Sequence, residues 1–553
     1  MENKNKKNKI RELDQILEKK FNTNKTYQYH SFFSFINKYS KLTEYFVETS
    51  IFEKEEYVKY IQDFKKKKQN NSFTKIEKSA IGSMLGMSIG DAMGARVEFM
   101  PLDYNYKEIK DMGKGPYGNF KLNPGQWTDD TSMGLCISDS LIEKQGEFDP
   151  RDIMMRFILW WYFGYNNAFR FDNKRHNKHS VGLGGNISGS LYKYIKDYGK
   201  NEYTKFGNKK TSGNGSIMRN AAIPICYFRN KEKALDFARK QSLITHQGDE
   251  AAGCCQLMTF IIIKIFKLKK GKNLNDKKSI NNNIIGEKDT KISTDSDHSN
   301  LKIAEEKNKI LKIENEKVIK LKDLLDDLKD FNCVFCESVN CLAHSKIENN
   351  DVNRNWNWKD KNFKYSEERA KKKPTYIGSY CMDGLAMALH VLYHTDSFEK
   401  AILKAVNLCG DADSVGSVVG QIAGAFYEFD SIPKKWIKEI NKWDNNEIAL
   451  RGFILCHLNE KENEEIIKEN KEKIEIIIPN IKENHENGNT KDEAKKLSEI
   501  EANLDEKKIY NKNNEEIIVN YNDQELKKVK TKNNRCRCIY LCCKDCFPNC
   551  III

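Results

Sequence analysis

Two adjacent carboxylates stand in the segment "WTDDTSM", residues 127–133. Asp129 and Asp130 directly follow Thr128, so three oxygen-bearing side chains occur in a row. Neighbouring anions repel each other, and folding alone does not require them. We call Thr128, Asp129 and Asp130 the first acidic cluster, and a run of this kind is suited to holding a positive charge.

A second acidic cluster of similar composition lies far downstream, in "CGDADSVGS" (409–417). It consists of Asp411, Asp413 and Ser414. Together the two clusters offer four carboxylates and two hydroxyls, which suit a hard cation such as Mg²⁺ or Mn²⁺ and suit Zn²⁺ poorly. The alternative is helix capping, because Ser, Thr and Asp are good N-caps and the helix dipole favours carboxylates at that end. The residues alone leave both interpretations open.

A glycine-rich segment between the two clusters fits a phosphate-binding role. In "KKTSGNGSIMR" (209–219) glycines allow backbone N–H groups to approach an anion, and two lysines add positive potential. By itself "SGNG" is also an ordinary turn signal.

Two glycine-striped segments indicate the elements that position the acidic clusters. In "SAIGSMLGMSIGDAMGARVEF" (79–99) a glycine recurs every four residues, and "GSVVGQIAGAFYE" (416–428) repeats the spacing. Glycine in a helix interior costs about 1 kcal/mol relative to alanine, unless another backbone packs very close. A membrane-dimer helix is the other reading of this spacing, but Asp91, Arg96 and Glu98 disfavour it. The pattern predicts one tightly packed central helix pair.

The remaining periodicity is helical, and strand-like alternation is scarce, so we predict an all-α fold. Residues 31–67 predict two accessory helices, 269–300 a turn-rich insertion, and 301–330 a charged helix with an apolar seam. Further helices are predicted at 131–145, 152–163, 231–244, 249–268, 383–394 and 397–408.

Composition divides the chain of 553 residues, only 39% of which are hydrophobic, into a core and charged extensions. The formal charge of +14, from 93 basic and 79 acidic residues, belongs mostly to the extensions. A nucleic-acid partner is not expected, because the lysine excess lacks aromatic interleaving and a reader motif. The predicted division is: N-terminal accessory helices and extension, 1–72; first part of the core domain, 73–263; low-complexity and charged-helix insertion, 264–330; second part of the core domain, 331–457; charged extension, 458–535; Cys-rich tail, 536–553.

The sequence shows no secretory signal and no stretch of about 20 uninterrupted apolar residues, and its 16 cysteines then indicate a reducing, cytoplasmic location. The last four residues, from Cys550, form a C-a-a-X box that predicts prenylation. Basic residues and further cysteines upstream (Cys542, Cys543, Cys546) would add the second signal that stable anchoring to the cytosolic face of a membrane needs. A zinc-binding knot or an unstructured tail are the alternatives.

Five motifs in order resemble the ADP-ribosylglycohydrolase family, which includes the dinitrogenase reductase-activating glycohydrolases and the ADP-ribosyl-acceptor hydrolases. They are "GDAMGARVEF" (90–99), "WTDDTSM" (127–133), "GNGSIMR" (213–219), "ITH" (244–246) and "AVNLCGDADSVGSVVGQIAGAFY" (405–427). The resemblance covers roughly 77–263 and 331–456. It implies an all-α domain with two Mg²⁺ or Mn²⁺ ions that hydrolyses the bond between ADP-ribose and an acceptor.

The resemblance also implies roles for individual residues. Both acidic clusters (Thr128, Asp129, Asp130; Asp411, Asp413, Ser414) would bind the two metal ions, and Glu98 matches a mobile glutamate that closes the site. Glu98, Asp129 and Asp130 would be the catalytic carboxylates, with Asp130 or Glu98 assisting proton transfer. Residues 181–186 ("VGLGGN") would line the pocket. The substrate-binding residues would be Lys209, Lys210, Thr211, Ser212, Gly213, Asn214, Gly215 and His246.

This chain departs from the family pattern at two positions of the second cluster region. Cys409 stands where a glycine is usual, which affects the local geometry of a tight turn, and Ser414 stands where a threonine is usual, which keeps the hydroxyl. The expected partner is an ADP-ribosylated protein or a small ADP-ribose conjugate, and the expected core is monomeric. The alternative function is a catalytically inactive ADP-ribose-binding or scaffold protein on the same fold, tethered to a membrane.

Overall fold

A computed structural model of the chain describes residues 50–459, except for 198, 200, 205, 209–210, 286–318 and 350–353. The described residues are helical and form no β-strand, with only three isolated bridges between extended residues. The predicted all-α fold class is therefore confirmed.

The described part contains sixteen α-helices joined by irregular connections. In chain order they are α1 (Val58–Asn70), α2 (Lys75–Gly94), α3 (Asp129–Glu143), α4 (Pro150–Phe163), α5 (Gly185–Lys196), α6 (Ala222–Tyr227), α7 (Lys231–Leu243), α8 (Asp249–Ile285), α9 (Leu321–Asp326), α10 (Glu337–Ala343), α11 (Glu367–Lys372), α12 (Cys381–Tyr393), α13 (Phe398–Val406), α14 (Ala412–Tyr427), α15 (Lys434–Asp444) and α16 (Glu447–Leu455).

The two glycine-striped helices, α2 and α14, pack backbone against backbone. A Cβ atom added to Gly86 would lie 2.0 Å from the carbonyl oxygen of Gly420, and one added to Gly420 would lie 1.9 Å from that of Gly86. No side chain fits at these positions, which explains why helix-destabilising glycine occupies them. The same relation joins Gly82 to Gly424 and Gly90 to Gly416. This reversed order makes the pair antiparallel, and the predicted central helix pair is confirmed.

A buried ion pair holds α3 against α16. Asp139 Oδ1 accepts a hydrogen bond of 2.7 Å from Arg451 Nε, and its other oxygen accepts one of 2.6 Å from the Tyr165 hydroxyl. Both charged side chains are almost fully buried. Because removal of either partner would leave an uncompensated charge in the core, the pair fixes the position of α3 and of the segment that leads into it.

Helix α8 carries the longest apolar stretch of the described residues. By length and composition Asp249–Lys270 could cross a membrane, but 78% of its most apolar window is buried inside the protein. Burial against the rest of the core accounts for this apolarity. Several cysteines of the chain, including Cys254 and Cys255 on α8, are buried free thiols.

The predicted helices of the core begin and end within two residues of those observed, with one exception. Helix α8, predicted to end at residue 268, continues to Ile285, so the first half of the turn-rich insertion predicted for 269–300 is wrong. No proline interrupts 269–285, and asparagine and lysine alone do not end a helix. The charged helix predicted for 301–330 is described only from residue 319, where α9 covers Leu321–Asp326.

Other predicted segments lie wholly or partly outside the described residues. Of the two accessory helices predicted for 31–67, the second corresponds to α1, and the first lies outside. The extension 458–535, beyond residue 459, and the four tail cysteines, Cys542, Cys543, Cys546 and Cys550, also lie outside the described residues.

Because α2 and α14 are in close contact, one methyl group added between them should strongly lower the stability of the fold. Gly86→Ala would place a Cβ atom on the Gly420 carbonyl, force the two helices apart and destabilise the fold by about 3 kcal/mol or more. Gly185→Ala is the matched control, because a Cβ atom there has no neighbour within 4 Å. Thermal unfolding should show a large drop in Tm for Gly86→Ala only. Equal Tm values for both variants would contradict the backbone contact.

Candidate active site

The two acidic clusters meet where α3 and α14 begin. Thr128 is the N-cap of α3 and Asp411 is the N-cap of α14, yet neither side chain makes a capping hydrogen bond to its helix. Instead, Thr128 Oγ1 lies 3.4 Å from Asp413 Oδ2, across the boundary between the two clusters. Helix capping therefore does not account for the side chains of Thr128 and Asp411.

Asp91, a residue of the glycine-striped helix α2, holds the first cluster in place. Its Oδ1 accepts hydrogen bonds from the backbone N–H and the hydroxyl of Thr128, at 3.0 and 2.9 Å. Its Oδ2 accepts from the backbone N–H and the hydroxyl of Thr131, at 3.0 and 2.6 Å. Asp91 stands in the motif "GDAMGARVEF" (90–99) but was not among the predicted site residues. A carboxylate among helix glycines that pack against another helix was the available signal for a buried polar role.

Three buried carboxylate oxygens in this region have no hydrogen-bond partner among the described residues: Glu98 Oε2, Asp130 Oδ1 and Asp413 Oδ1. Oxygens of Asp91, Asp130 and Asp413 lie within 4.8 Å of one another. Unpaired buried acceptors are costly, and three in one cluster are what a bound cation would satisfy.

The hydroxyl of Thr128 adds a neutral oxygen to this donor set. Its single proton can be donated to one of three carboxylate oxygens, Asp91 Oδ1 at 2.9 Å, Asp130 Oδ2 at 3.3 Å or Asp413 Oδ2 at 3.4 Å. In an octahedral shell with metal–oxygen distances of about 2.1 Å, neighbouring ligand oxygens lie about 3 Å apart. The oxygen-only composition and these separations fit Mg²⁺ or Mn²⁺.

The pKa values of the clustered carboxylates reflect mutual repulsion inside the protein. Burial first, and then the negative charge of Asp91, raise the pKa of Asp129 and of Asp130 well above the ordinary range. Burial, followed by Asp411 and Asp129, raises the pKa of Glu98 to about 9. Burial and the neighbouring carboxylates thus favour the neutral form of Glu98, and a divalent ion would favour the charged form.

Glu98 follows the end of α2, and the backbone around it connects to the second cluster. The backbone N–H of Phe99 donates to the Gly410 carbonyl at 2.9 Å, and the N–H of Gly410 donates to the Met100 carbonyl at 2.8 Å. Glu98 is 8% exposed, so in this structure its side chain is turned inward, toward Asp413.

The glycine segment 181–186 borders the first cluster. Gly182 has a φ of +91°, and a Cβ atom on it would lie 2.1 Å from Asp129 Oδ1. A side chain at this position would collide with the carboxylate. The structure therefore places this segment beside Asp129, as expected for residues that line the same pocket.

The glycine-rich loop reaches the second cluster through Asn214. Its side-chain amide donates to Asp411 Oδ2 at 3.0 Å and to the Gly378 carbonyl at 3.2 Å, and its backbone N–H donates to the Ser379 carbonyl. These donors of Asn214 are occupied, so the residue positions the loop instead of offering them to a ligand. The hydrogen bond between Asn214 and Asp411 was not predicted from the sequence.

The rest of the loop is pinned to the segment before α12. Gly213 forms an antiparallel bridge with Tyr380, and the Ser212 carbonyl accepts from the N–H of Cys381 at 3.0 Å. Thr211 Oγ1 accepts from the N–H of Asn208 at 2.9 Å. Lys209 and Lys210, the two lysines predicted to bind substrate, lie outside the described residues.

His246 lies against the same loop and is 2% exposed. A Cβ atom on Gly215 would lie 2.9 Å from His246 Cε1 and 3.1 Å from Nε2, and one on Gly213 would lie 3.4 Å from Nε2. The structure thus brings the predicted loop, His246 and Asp411 together, with the loop between the imidazole and the second acidic cluster.

The two departures in the second cluster have different structural consequences. Cys409 adopts a φ of +62°, a left-handed conformation that favours glycine, which explains why a glycine would suit the position. Its side chain is nevertheless accommodated in a buried position. Ser414 is buried beside Asp411, and its Oγ lies 3.6 Å from Met218 Sδ, so its hydroxyl stays within the second cluster.

Comparison with known proteins identifies the relatives of this chain. An ADP-ribosylarginine hydrolase of Serratia proteamaculans is 28% identical over 365 residues, which are 65% of this chain and 75% of that protein. An ADP-ribosyl-(dinitrogen reductase) glycohydrolase of Rhodospirillum rubrum is 23% identical over 67% of this chain and 92% of its own length. An ADP-ribosylhydrolase of Danio rerio is 25% identical over 64% of this chain and 84% of its own length.

The family match extends over most of the chain and includes both acidic clusters, Glu98, the glycine-rich loop and His246. The family described as ADP-ribosylglycohydrolase matches residues 73–464. This range confirms the resemblance that the five ordered motifs indicated. The chain therefore belongs to the ADP-ribosylglycohydrolase family, a family of enzymes that hydrolyse glycosyl bonds.

Proposed function

We propose that this chain releases ADP-ribose from modified protein side chains and depends on two Mg²⁺ or Mn²⁺ ions. The observation that carries the proposal is the trio of buried carboxylate oxygens without partners, on Glu98, Asp130 and Asp413. Oxygen atoms of this kind fit a hard cation and fit few other groups. The residues that would hold the ions are Thr128, Asp129, Asp130, Asp411, Asp413 and Ser414.

The roles of the chain's own residues follow from their positions. Bound ions would supply Lewis acidity and lower the pKa of the attacking water. Glu98, whose neutral form is favoured by burial and which is turned toward Asp413, is placed to move a proton as the glycosyl bond breaks. Asp130 is the second candidate for this role. The loop at 211–215 and His246 bind and orient the ADP-ribose moiety on the side of Asp411.

Arginine-linked ADP-ribose is the first substrate to test. Relatives in two bacteria, Serratia proteamaculans and Pseudomonas putida, are named ADP-ribosylarginine hydrolases and are 28% and 27% identical to this chain. Serine-linked ADP-ribose and a small ADP-ribose ester serve as comparison substrates, because the residues of the acidic clusters do not distinguish the leaving group.

We expect Asp129→Asn and Asp130→Asn to lower ADP-ribose release by a factor of about 100 or more, because each removes a negative ligand from the cation site. The measurement is release of ADP-ribose from arginine- and serine-linked substrates in the presence of Mg²⁺. Asp396→Asn is the control, since its carboxylate is exposed and forms an ion pair with Lys400, away from both acidic clusters.

Two results would contradict the catalytic proposal. One is an undiminished rate for Asp129→Asn and Asp130→Asn. The other is a wild-type chain that binds ADP-ribose in calorimetry but releases none from any of the three linkages, which would favour a non-catalytic ADP-ribose-binding protein.

Metal dependence predicts opposite stability changes in the presence and absence of Mg²⁺. Without a cation, Asp130→Asn should raise Tm by a few degrees, because it removes one of several mutually repelling buried carboxylates. With millimolar Mg²⁺, the wild-type Tm should rise, and the variant should lose most of that rise. Thermal unfolding in a chelator and in Mg²⁺ measures both effects, again with Asp396→Asn as control. A wild-type Tm that neither Mg²⁺ nor Mn²⁺ changes would refute the metal site.

A further inference from the structure

Arg219 is a buried guanidinium near the proposed site and has no carboxylate partner among the described residues. Arg219 is fully buried, and among the described residues it makes no ion pair. Its Nε donates to Gln241 Oε1 at 3.3 Å, its Nη2 donates to Thr245 Oγ1 at 2.7 Å, and its Cζ lies 4.5 Å from the centre of the Phe157 ring. A buried cation that lacks a direct anionic partner is expensive, which suggests that its charge serves a purpose nearby.

Arg219 remains charged at neutral pH. Burial lowers its pKa to about 9, which still leaves the guanidinium protonated under ordinary conditions. The charge acts on Asp129 of the first acidic cluster and on His246. It is therefore close enough to act on both a group that the proposed function assigns to metal and one that it assigns to ADP-ribose.

The hydrogen bond that Arg219 donates to Thr245 fixes the direction of the hydrogen bond between Thr245 and His246. A guanidinium can only donate, so Thr245 Oγ1 accepts from Arg219. The Thr245 hydroxyl then has one proton left to give, and its neighbour is His246 Nδ1 at 2.8 Å. His246 Nδ1 is consequently the acceptor, and the proton of the neutral imidazole is on Nε2.

The opposite tautomer would be disfavoured twice. With a proton on Nδ1, Thr245 Oγ1 would accept from both Arg219 and His246, and its own proton would face no acceptor in a buried setting. His246 Nε2 would then present a lone pair, which repels anionic oxygens. Burial, followed by the charge of Arg219, lowers the pKa of His246 to about 3, so the ring is neutral at working pH.

The Nε2 edge of the ring is the one beside the glycine-rich loop, at Gly213 and Gly215. Among the described residues, His246 Nε2 has no hydrogen-bond partner. The absence of side chains at the two glycines lets the imidazole and a ligand approach the same stretch of backbone.

We propose that Arg219 and Thr245 are positioning residues that hold His246 in the Nε2–H tautomer, so that it donates a hydrogen bond to an oxygen of the bound ADP-ribose moiety. The identity of the ligand rests on the proposed function. The tautomer itself follows from the direction of two hydrogen bonds and does not depend on hydrolysis.

The first test is the tautomer of His246 in the full-length wild-type chain. Long-range ¹H–¹⁵N correlation spectra distinguish a protonated from an unprotonated ring nitrogen, and comparison with His246→Gln assigns the signals. We expect an unprotonated Nδ1 and a protonated Nε2 at neutral pH, with and without Mg²⁺. A proton on Nδ1 would overturn the proposal, and this measurement requires no Thr245 variant.

The second test separates positioning from simple packing. Thr245→Val keeps the shape but removes the hydroxyl, so the His246 signals should change to those of a mixture of tautomers. The KM for the ADP-ribosyl substrate should rise about tenfold, while kcat changes less. Thr245→Ser keeps the hydroxyl and should restore both the spectrum and KM. His246 signals and KM that are the same in Thr245→Val and wild type would contradict the proposal.

These readouts distinguish failure of this inference from failure of the proposed function. If the wild-type chain releases no ADP-ribose, the function fails, while a protonated Nε2 that Thr245→Val disturbs still supports the positioning role. If release is normal but Nδ1 carries the proton, the function stands and the positioning role is refuted.

Discussion

The contact of two helix backbones is the constraint on which the rest of the structure depends. Helices α2 and α14 approach so closely that a Cβ atom has no room at the crossing glycines, such as Gly90 and Gly416. Because the pair is antiparallel, the C-terminal end of α2 meets the N-terminal end of α14. Asp91 and Glu98 thereby come beside Asp413, although more than 300 residues separate them in the chain.

This arrangement concentrates negative charge at a place where folding gains nothing from it. Six carboxylates are buried together, and the pKa of each is raised from its ordinary value by burial. The neighbouring cation, Arg219, makes no ion pair with them among the described residues. The fold tolerates this cost because the helix pair and the buried pair of Asp139 with Arg451 hold the surrounding helices. A cluster of buried carboxylates with raised pKa values is typical of a functional site.

The sequence predicted what repeats or clusters locally and missed what depends on long-range contacts. Glycine spacing predicted the helix pair, and adjacent carboxylates marked the acidic clusters. The role of Asp91 was missed because its partners, Thr128 and Thr131, lie 37 and 40 residues away, and its position among the helix glycines indicates burial but not these partners. The same holds for the link from Asn214 to Asp411, which spans 197 residues. The end of α8 was wrongly predicted because composition suggested a loop, although 269–285 contains no proline and its one glycine, Gly271, does not end the helix.

The glycine-rich loop contacts both the second acidic cluster and His246. On one side Asn214 donates to Asp411 at 3.0 Å, so the loop is hydrogen-bonded to the second acidic cluster. On the other side Gly215 leaves room for His246, whose proton is directed by Thr245. The charge of Arg219 reaches both Asp129 and His246. The residues that would hold a cation and those that would contact an anionic ligand therefore converge on one short segment of backbone, which lies against Asp411 on one side and against His246 on the other.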